Sequence, residues 1–171
     1  MRRMNARRLT RLALLTGIAL TIFVVEAQLP PLAPIPGIKP GLANIVTVWA
    51  LFTLGPLDAL LILLARILLA SMYAGQVMAL LYSLCGGLLS YAVSLAARRL
   101  VTDRQLWAVS ILGGIAHNVG QLLAATAVLG TGAVWYYAPV LGISGLLTGA
   151  FTGAAAQFLY NRLQNIRFFK R

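Results

Sequence analysis

The sequence predicts an all-α membrane protein, a polytopic bundle of six transmembrane helices with both termini cytoplasmic, and three features carry that expectation. Six apolar stretches, separated by turns and basic patches, fill nearly all of the 171 residues. The chain is 60% hydrophobic with only three acidic side chains, and its mean hydropathy is +0.87. A soluble domain of that make-up would lack the polar surface to cover itself. The cations, finally, fall at alternate junctions: Arg2, Arg3, Arg7, Arg8 and Arg11 precede the first stretch, Arg98, Arg99 and Arg104 lie between the fourth and fifth, and Arg162, Arg167, Lys170 and Arg171 follow the sixth. With a cytoplasmic N-terminus all of these lie inside, leaving Lys39 outside and Arg66 within a span. The expected layout in a bacterial inner membrane is a basic tail over 1–11, one transmembrane domain over 12–160 and a second basic tail over 161–171.

The net charge of +11 does not point to nucleic acid, because the cations flank apolar stretches instead of forming one basic face. Anchoring against anionic lipid headgroups accounts for the tails. The one cysteine, Cys85, sits in an apolar run without a partner and reads as a small packing residue.

The first span is expected over Leu12–Ala27. A basic leader before an apolar core also fits a removable signal peptide, but a retained helix returns both basic tails to one side. Ala13, Gly17 and Thr21 recur every four residues, a small-residue stripe that serves either internal packing or the close approach of another helix. From Leu29 to Gly41 come five prolines, an extended outer loop that is either a stiff cap over a pocket or a plain connector.

The second span, Leu42–Leu54, is short for a hydrocarbon layer about 30 Å thick, so it must borrow length from its flanks or lie partly inside the bundle. Gly55-Pro56 makes an inner turn, and Asp58 reads as a helix-start residue in the first turn of the third span, Leu57–Ser71. Tyr73-Ala74-Gly75 turns the chain into the fourth, Gln76–Ala97, where Gly86-Gly87 permits close backbone contact. The fifth covers Leu106–Leu129 and the sixth Trp135–Tyr160. Gly145, Gly149 and Gly153 repeat a G-x-x-x-G pattern that marks a tight helix contact. Trp107, Trp135, Tyr136, Tyr137 and Tyr160 fall near the interfaces, where amphipathic rings belong.

A few polar residues fall where lipid rejects them. Arg66 is at the centre of the third span, where an arginine costs about 2.5 to 3.5 kcal/mol on insertion scales. It must pair with Glu26, hold an anionic ligand or snorkel to an interface. His117 and Gln121 are four apart and share a helix face, with Asn118 beside them and Gly113 one turn inward. They form either an interhelical hydrogen-bonding set or a polar pocket. Asn44, Lys39, Gln76, Tyr136 and Tyr137 are further polar groups on the outer side. Cations and neutral donors outnumber acids there, which favours a ligand with anionic or acceptor-rich groups.

Several chemistries are excluded. There is no G-x-x-x-x-G-K-[ST] loop, so energy from ATP would come from a partner. Glu26, Asp58 and Asp103 are too scattered to hold magnesium for diphosphate chemistry, one histidine is too few for a metal site, and no convincing triad is present. The residues call for no cofactor and no catalysis.

The order of motifs resembles the Gx transporter family, also labelled heptaprenyl diphosphate synthase component I. The residues that carry the likeness are Gly37-Ile-Lys-Pro-Gly-Leu-Ala-Asn-Ile45, Arg66, Gly86-Gly-Leu-Leu-Ser90, Ala116-His-Asn-Val-Gly-Gln-Leu122 and Ser144-Gly-Leu-Leu-Thr-Gly149. That family is similar in size and layout to the substrate-binding S components of energy-coupling factor (ECF) transporters. The resemblance implies a micronutrient site near the outer face and a first helix whose small residues, here Ala13, Gly17 and Thr21, dock a transmembrane coupling protein driven by ATPases. Ala13-x-x-x-Gly17 is a relaxed form of the usual Ala-x-x-x-Ala. Two functions follow. One is a substrate-capture subunit that holds a small molecule with Arg66, His117, Asn118 and Gln121, joined by Lys39 and Asn44 from the outer side. The other is a noncatalytic membrane partner in isoprenoid, quinone or flavin-linked electron-transfer machinery.

Overall fold

The computed structural model describes residues 5–29, 39, 41–75 and 77–163. Most of the proline loop, Gln76 and the outer parts of both basic tails lie outside the described residues. Within them the chain forms six α-helices and no strand: α1 (Ala6–Glu26), α2 (Asn44–Thr53), α3 (Pro56–Ala74), α4 (Val77–Ala97), α5 (Leu106–Leu129) and α6 (Ala138–Leu163), with a 3-10 segment (Gly132–Tyr137) before α6. Five helical runs, all but α2, are long and apolar enough to cross a membrane, which makes this a multi-pass membrane protein. The second expected span is the exception. Its ten residues rise about 15 Å, half of a hydrocarbon layer, and they lie inside the bundle: eight of the ten are buried, and α2 touches all five other helices.

The helix ends follow local chemistry. Asn5 caps α1, its side-chain oxygen accepting the Arg8 amide N–H at 2.9 Å. Because α1 begins at Ala6, Arg7, Arg8 and Arg11 ride on its first turns instead of in a preceding tail, and α6 likewise runs past position 160 to Leu163. Gly55, at φ 102°, makes a turn that a Cβ would strain, and Pro56 opens α3. Asp58 sits in the first turn of α3, where a helix-start residue belongs, and it has a second task. Its Oδ1 accepts from Arg8 Nε at 2.9 Å and from Arg8 Nη2 at 2.5 Å, tying the start of α1 to the start of α3. Tyr73 and Ala74 continue α3 instead of turning it, and Gly75 closes the helix.

Around α2 the long helices form an open ring in the order α1, α3, α4, α5, α6; the backbones of α1 and α6 do not approach each other among the described residues. The ring is tightest on the α4–α5–α6 side, where small residues let backbones approach. A Cβ on Gly145 would lie 2.8 Å from Gly114 O, one on Gly149 2.7 Å from Ile111 Cα and one on Gly153 2.6 Å from Trp107 Cα. Gly120 abuts α4 in the same way, at 2.6 Å from Cys85 O. The Cys85 side chain itself is exposed, not a packing residue as expected. On α1 the buried face is Leu12, Leu15, Thr16, Ala19, Phe23 and Glu26. Ala13, Gly17 and Thr21 are exposed on another face, and nothing lies within 4 Å of where a Gly17 Cβ would stand, so the stripe does not pack within the described chain.

One end of the bundle collects the cations. The Arg8–Asp58 pair, the Tyr91 hydroxyl bonded to Pro56 O at 2.9 Å, Arg98 over the Phe52 ring and the Tyr160 hydroxyl bonded to Asp103 at 2.9 Å place the starts of α1, α3 and α5 beside the ends of α2, α4 and α6. Arg7, Arg8, Arg11, Arg98, Arg99, Arg104 and Arg162 all stand at this end. Lys39 and Arg66 are the two described cations away from it.

Candidate functional site

The polar residues that lipid would reject are inside the bundle. Glu26, Asn44, Arg66, His117, Asn118 and Gln121 are each no more than 5% exposed. They converge because α2 is short: its beginning, with Gly41 ahead of it, lies beside His117 at the middle of α5.

His117 is the centre of the cluster. On its own helix face, Gln121 Nε2 and His117 Nε2 are 3.1 Å apart, a hydrogen bond one helical turn long. Across from them α4 supplies Gly86, where a Cβ would fall 3.0 Å from Gln121 Cγ and 3.1 Å from His117 Cε1. Over the imidazole lies Gly41, with φ 85°, whose Cβ would stand 2.8 Å from His117 Cδ2. Both glycines are needed for the ring to fit. The Gly41 N–H donates to the Glu26 carboxylate, which joins the end of α1 to the beginning of α2. Arg66 enters from α3 and lies near enough for its charge to act on Glu26 and His117. Next to this group, Asn44 Nδ2 donates to Ser90 Oγ at 3.2 Å, and a Cβ on Gly113 would fall 2.7 Å from Ser94 Oγ.

Other expected members stand apart. Asn118 turns toward α6, its Nδ2 donating to Leu141 O at 2.6 Å, so it cross-links two helices while His117 and Gln121 face α4 and the α2 start. Lys39 lies at the edge, with Nζ 3.9 Å from the centroid of the Phe23 ring. Partial burial holds its ammonium below the usual lysine range, an effect Glu26 opposes and Arg66 reinforces. Tyr136 is 88% exposed and cannot help close a site. Arg66 and Glu26 form no ion pair within 4 Å. Three members carry no chemical signal of their own in the sequence: Gly41, Ser90 and Ser94. Their only local marks are Pro40-Gly41 ahead of a helix and two serines four apart in the fourth apolar stretch.

Five buried polar atoms of the cluster and its neighbours have no hydrogen-bond partner: Arg66 Nε, Ser94 Oγ, His117 Nδ1, Asn118 Oδ1 and Gln121 Oε1. Buried polar groups are usually paired, and each left unpaired costs about 1–3 kcal/mol. The set offers a cationic donor, two amide oxygens, a hydroxyl and an imidazole that donates or accepts, which suits recognition of a polar molecule. It contains no nucleophile held by a base, and among the described residues no three His, Cys, Asp or Glu side chains group to hold a metal ion.

Comparison with curated proteins and with solved structures finds no match for the chain. A family does match, over residues 15–159, a stretch that runs from within α1 to within α6 and takes in the whole polar cluster. By that match the chain belongs to the family described as heptaprenyl diphosphate synthase component I.

Proposed function

We propose that this protein is the membrane-embedded substrate-binding subunit of a transporter, similar in role to an ECF S component. It captures a small anionic or acceptor-rich molecule from the outer side of a bacterial inner membrane. Arg66 meets the anionic group, His117 and Gln121 bond its polar edge, Asn44 and Lys39 border the entry, and the free Asn118 oxygen extends the set toward α6. The observation that carries this reading is a buried arginine without an ion pair, amid other polar atoms that lack partners. A ligand with acceptors for Arg66 and donors for the amide oxygens would satisfy them together. With the cationic end in the cytoplasm, as charge bias favours, both termini lie inside and the polar cluster opens outward. Energy then comes from a partner, an ECF-type coupling protein with its ATPases, docking on the exposed Ala13, Gly17 and Thr21 face.

A second reading is a noncatalytic membrane component beside isoprenoid, quinone or flavin-linked electron-transfer enzymes, in which the same polar groups hold the helices in register; the family description supports its isoprenoid part. Mass spectrometry of the protein purified in mild detergent decides between them. A bound small molecule and an ATPase module, with the molecule lost from Arg66→Leu and His117→Leu variants that still insert, support capture. An empty bundle recovered with prenyl-chain or redox proteins supports the second reading.

A further inference from the structure

The open side of the helix ring is a built groove. Between α1 and α6, whose Cα atoms stay more than 8 Å apart among the described residues, lies a space of about 250 Å3 walled by Leu15, Ile18 and Ile22 of α1 and by Leu159 and Leu163 of α6, with Trp49 of α2 at its floor. Its surface is apolar throughout. The α1 wall continues toward the cationic end of the bundle: positions 7, 11, 15, 18 and 22 share one face of a helix with 3.6 residues per turn, so Arg11 and then Arg7 extend the stripe. Arg162 stands at the same end, on the last turn of α6. Two cations below three aliphatic side chains match an amphiphile with an anionic head.

The charge pattern selects the occupant. From Leu15 to Ile22 the groove follows α1 for about 10 Å, an apolar length that an extended hydrocarbon chain can line, and the arginines that continue the same face complement an anionic head at its end. We infer that this gap binds one chain of an anionic membrane lipid, with the lipid phosphate held at Arg7 and Arg11. The site is independent of the polar cluster, since no residue is shared. It also leaves the Ala13, Gly17 and Thr21 face free, because that stripe lies on a different side of α1 from Leu15, Ile18 and Ile22.

Trp49 is a reporter in place. In a Trp107→Phe/Trp135→Phe background, the full chain is reconstituted into phosphatidylcholine vesicles doped with either phosphatidylglycerol or phosphatidylcholine carrying brominated chains, and quenching of Trp49 is measured against mole fraction. Brominated phosphatidylglycerol should quench at lower mole fraction, by about fivefold per arginine (~1 kcal/mol each) and so about 25-fold for the pair. Arg7→Gln with Arg11→Gln should abolish that preference. Ile18→Phe should remove quenching by both lipids; Ile18 is 44% exposed, so the larger ring fills the groove without crowding the core. Equal quenching by the two headgroups in the unaltered chain, quenching that persists in Ile18→Phe, or no quenching at all would overturn the inference. So would a crosslink from Ile18 to a partner helix in native membranes.

Discussion

Replacing Arg66 by methionine distinguishes a binding arginine from a structural one by the sign of a stability change. At mid-helix an arginine costs about 2.5–3.5 kcal/mol on insertion scales, and a buried donor without a partner costs about 1–3 kcal/mol. These are two measures of one desolvation penalty and are not summed. Attraction to Glu26 offsets part of it, but the Glu26 carboxylate is engaged by the Gly41 amide and forms no ion pair with Arg66. Methionine keeps the length and removes the charge, so the ligand-free variant should gain about 1–2 kcal/mol, a rise of about 2–8 °C in Tm for a chain of this size. The assay is thermal unfolding of delipidated, ligand-free protein in mild detergent, with Glu26→Gln as a companion. The same variant should retain no ligand. A fall in Tm of similar size would refute the reasoning, because it would mean that Arg66 and Glu26 stabilise each other as a pair.

Four further outcomes are expected. Gly149→Leu should destabilise the bundle by about 1–3 kcal/mol in detergent melts, since its Cβ would fall 2.7 Å from Ile111 Cα and force α5 and α6 apart; an unchanged melt would show that the helices are free to separate. Gly17→Leu should change stability by no more than about 0.5 kcal/mol and still weaken recovery of a partner, whereas loss of folded protein in step with partner loss would return the stripe to packing. Arg8→Gln and Asp58→Asn should each cost about 1–3 kcal/mol and the double variant clearly less than their sum; strict additivity would show that the pair is not coupled. Lys39 has its proton affinity lowered by burial, so below 10.5 the unfolded chain holds more protons than the folded one down to the lowered value. Stability should therefore rise with pH across that window, and Lys39→Met should flatten the rise in a pH series of melts.

Long apolar helices are legible because hydrocarbon imposes a length and a composition on them, and the bounds of the fifth, Leu106–Leu129, are those of α5. Helix α2 shows the other regime. Its sequence is as apolar as a span, and only its thirteen-residue expected length hinted that it belongs inside. The glycine pattern on α6 marked a close contact without naming its partner, because periodicity gives a face and not what the face meets. Polar side chains in apolar runs were visible one by one, and Arg66, His117 and Gln121 do lie together. What held them together was not readable: Gly41 over the imidazole and Gly86 against the His117–Gln121 pair depend on which helices are neighbours. Asn118 diverged from its neighbours for the simplest reason, a rotation of about 100° per residue on α5. The pairing of Arg8 with Asp58, fifty residues apart, left no local signal either.

The brevity of α2 also governs how the protein is made. A ten-residue helix does not reach both faces of the bilayer, so it cannot be threaded and released into lipid as an independent insertion unit. It forms the inner arm of a hairpin with α3, held at one end by the Gly55 bend and the Arg8–Asp58 tie and at the other by the Glu26 bond to Gly41. Its polar N-terminal groups and its fully enclosed Ala50 and Leu51 become satisfied only when α4, α5 and α6 close around it. The axis of the bundle is therefore complete only with its last helix, and a chain truncated before α6 should leave α2 uncovered on that side.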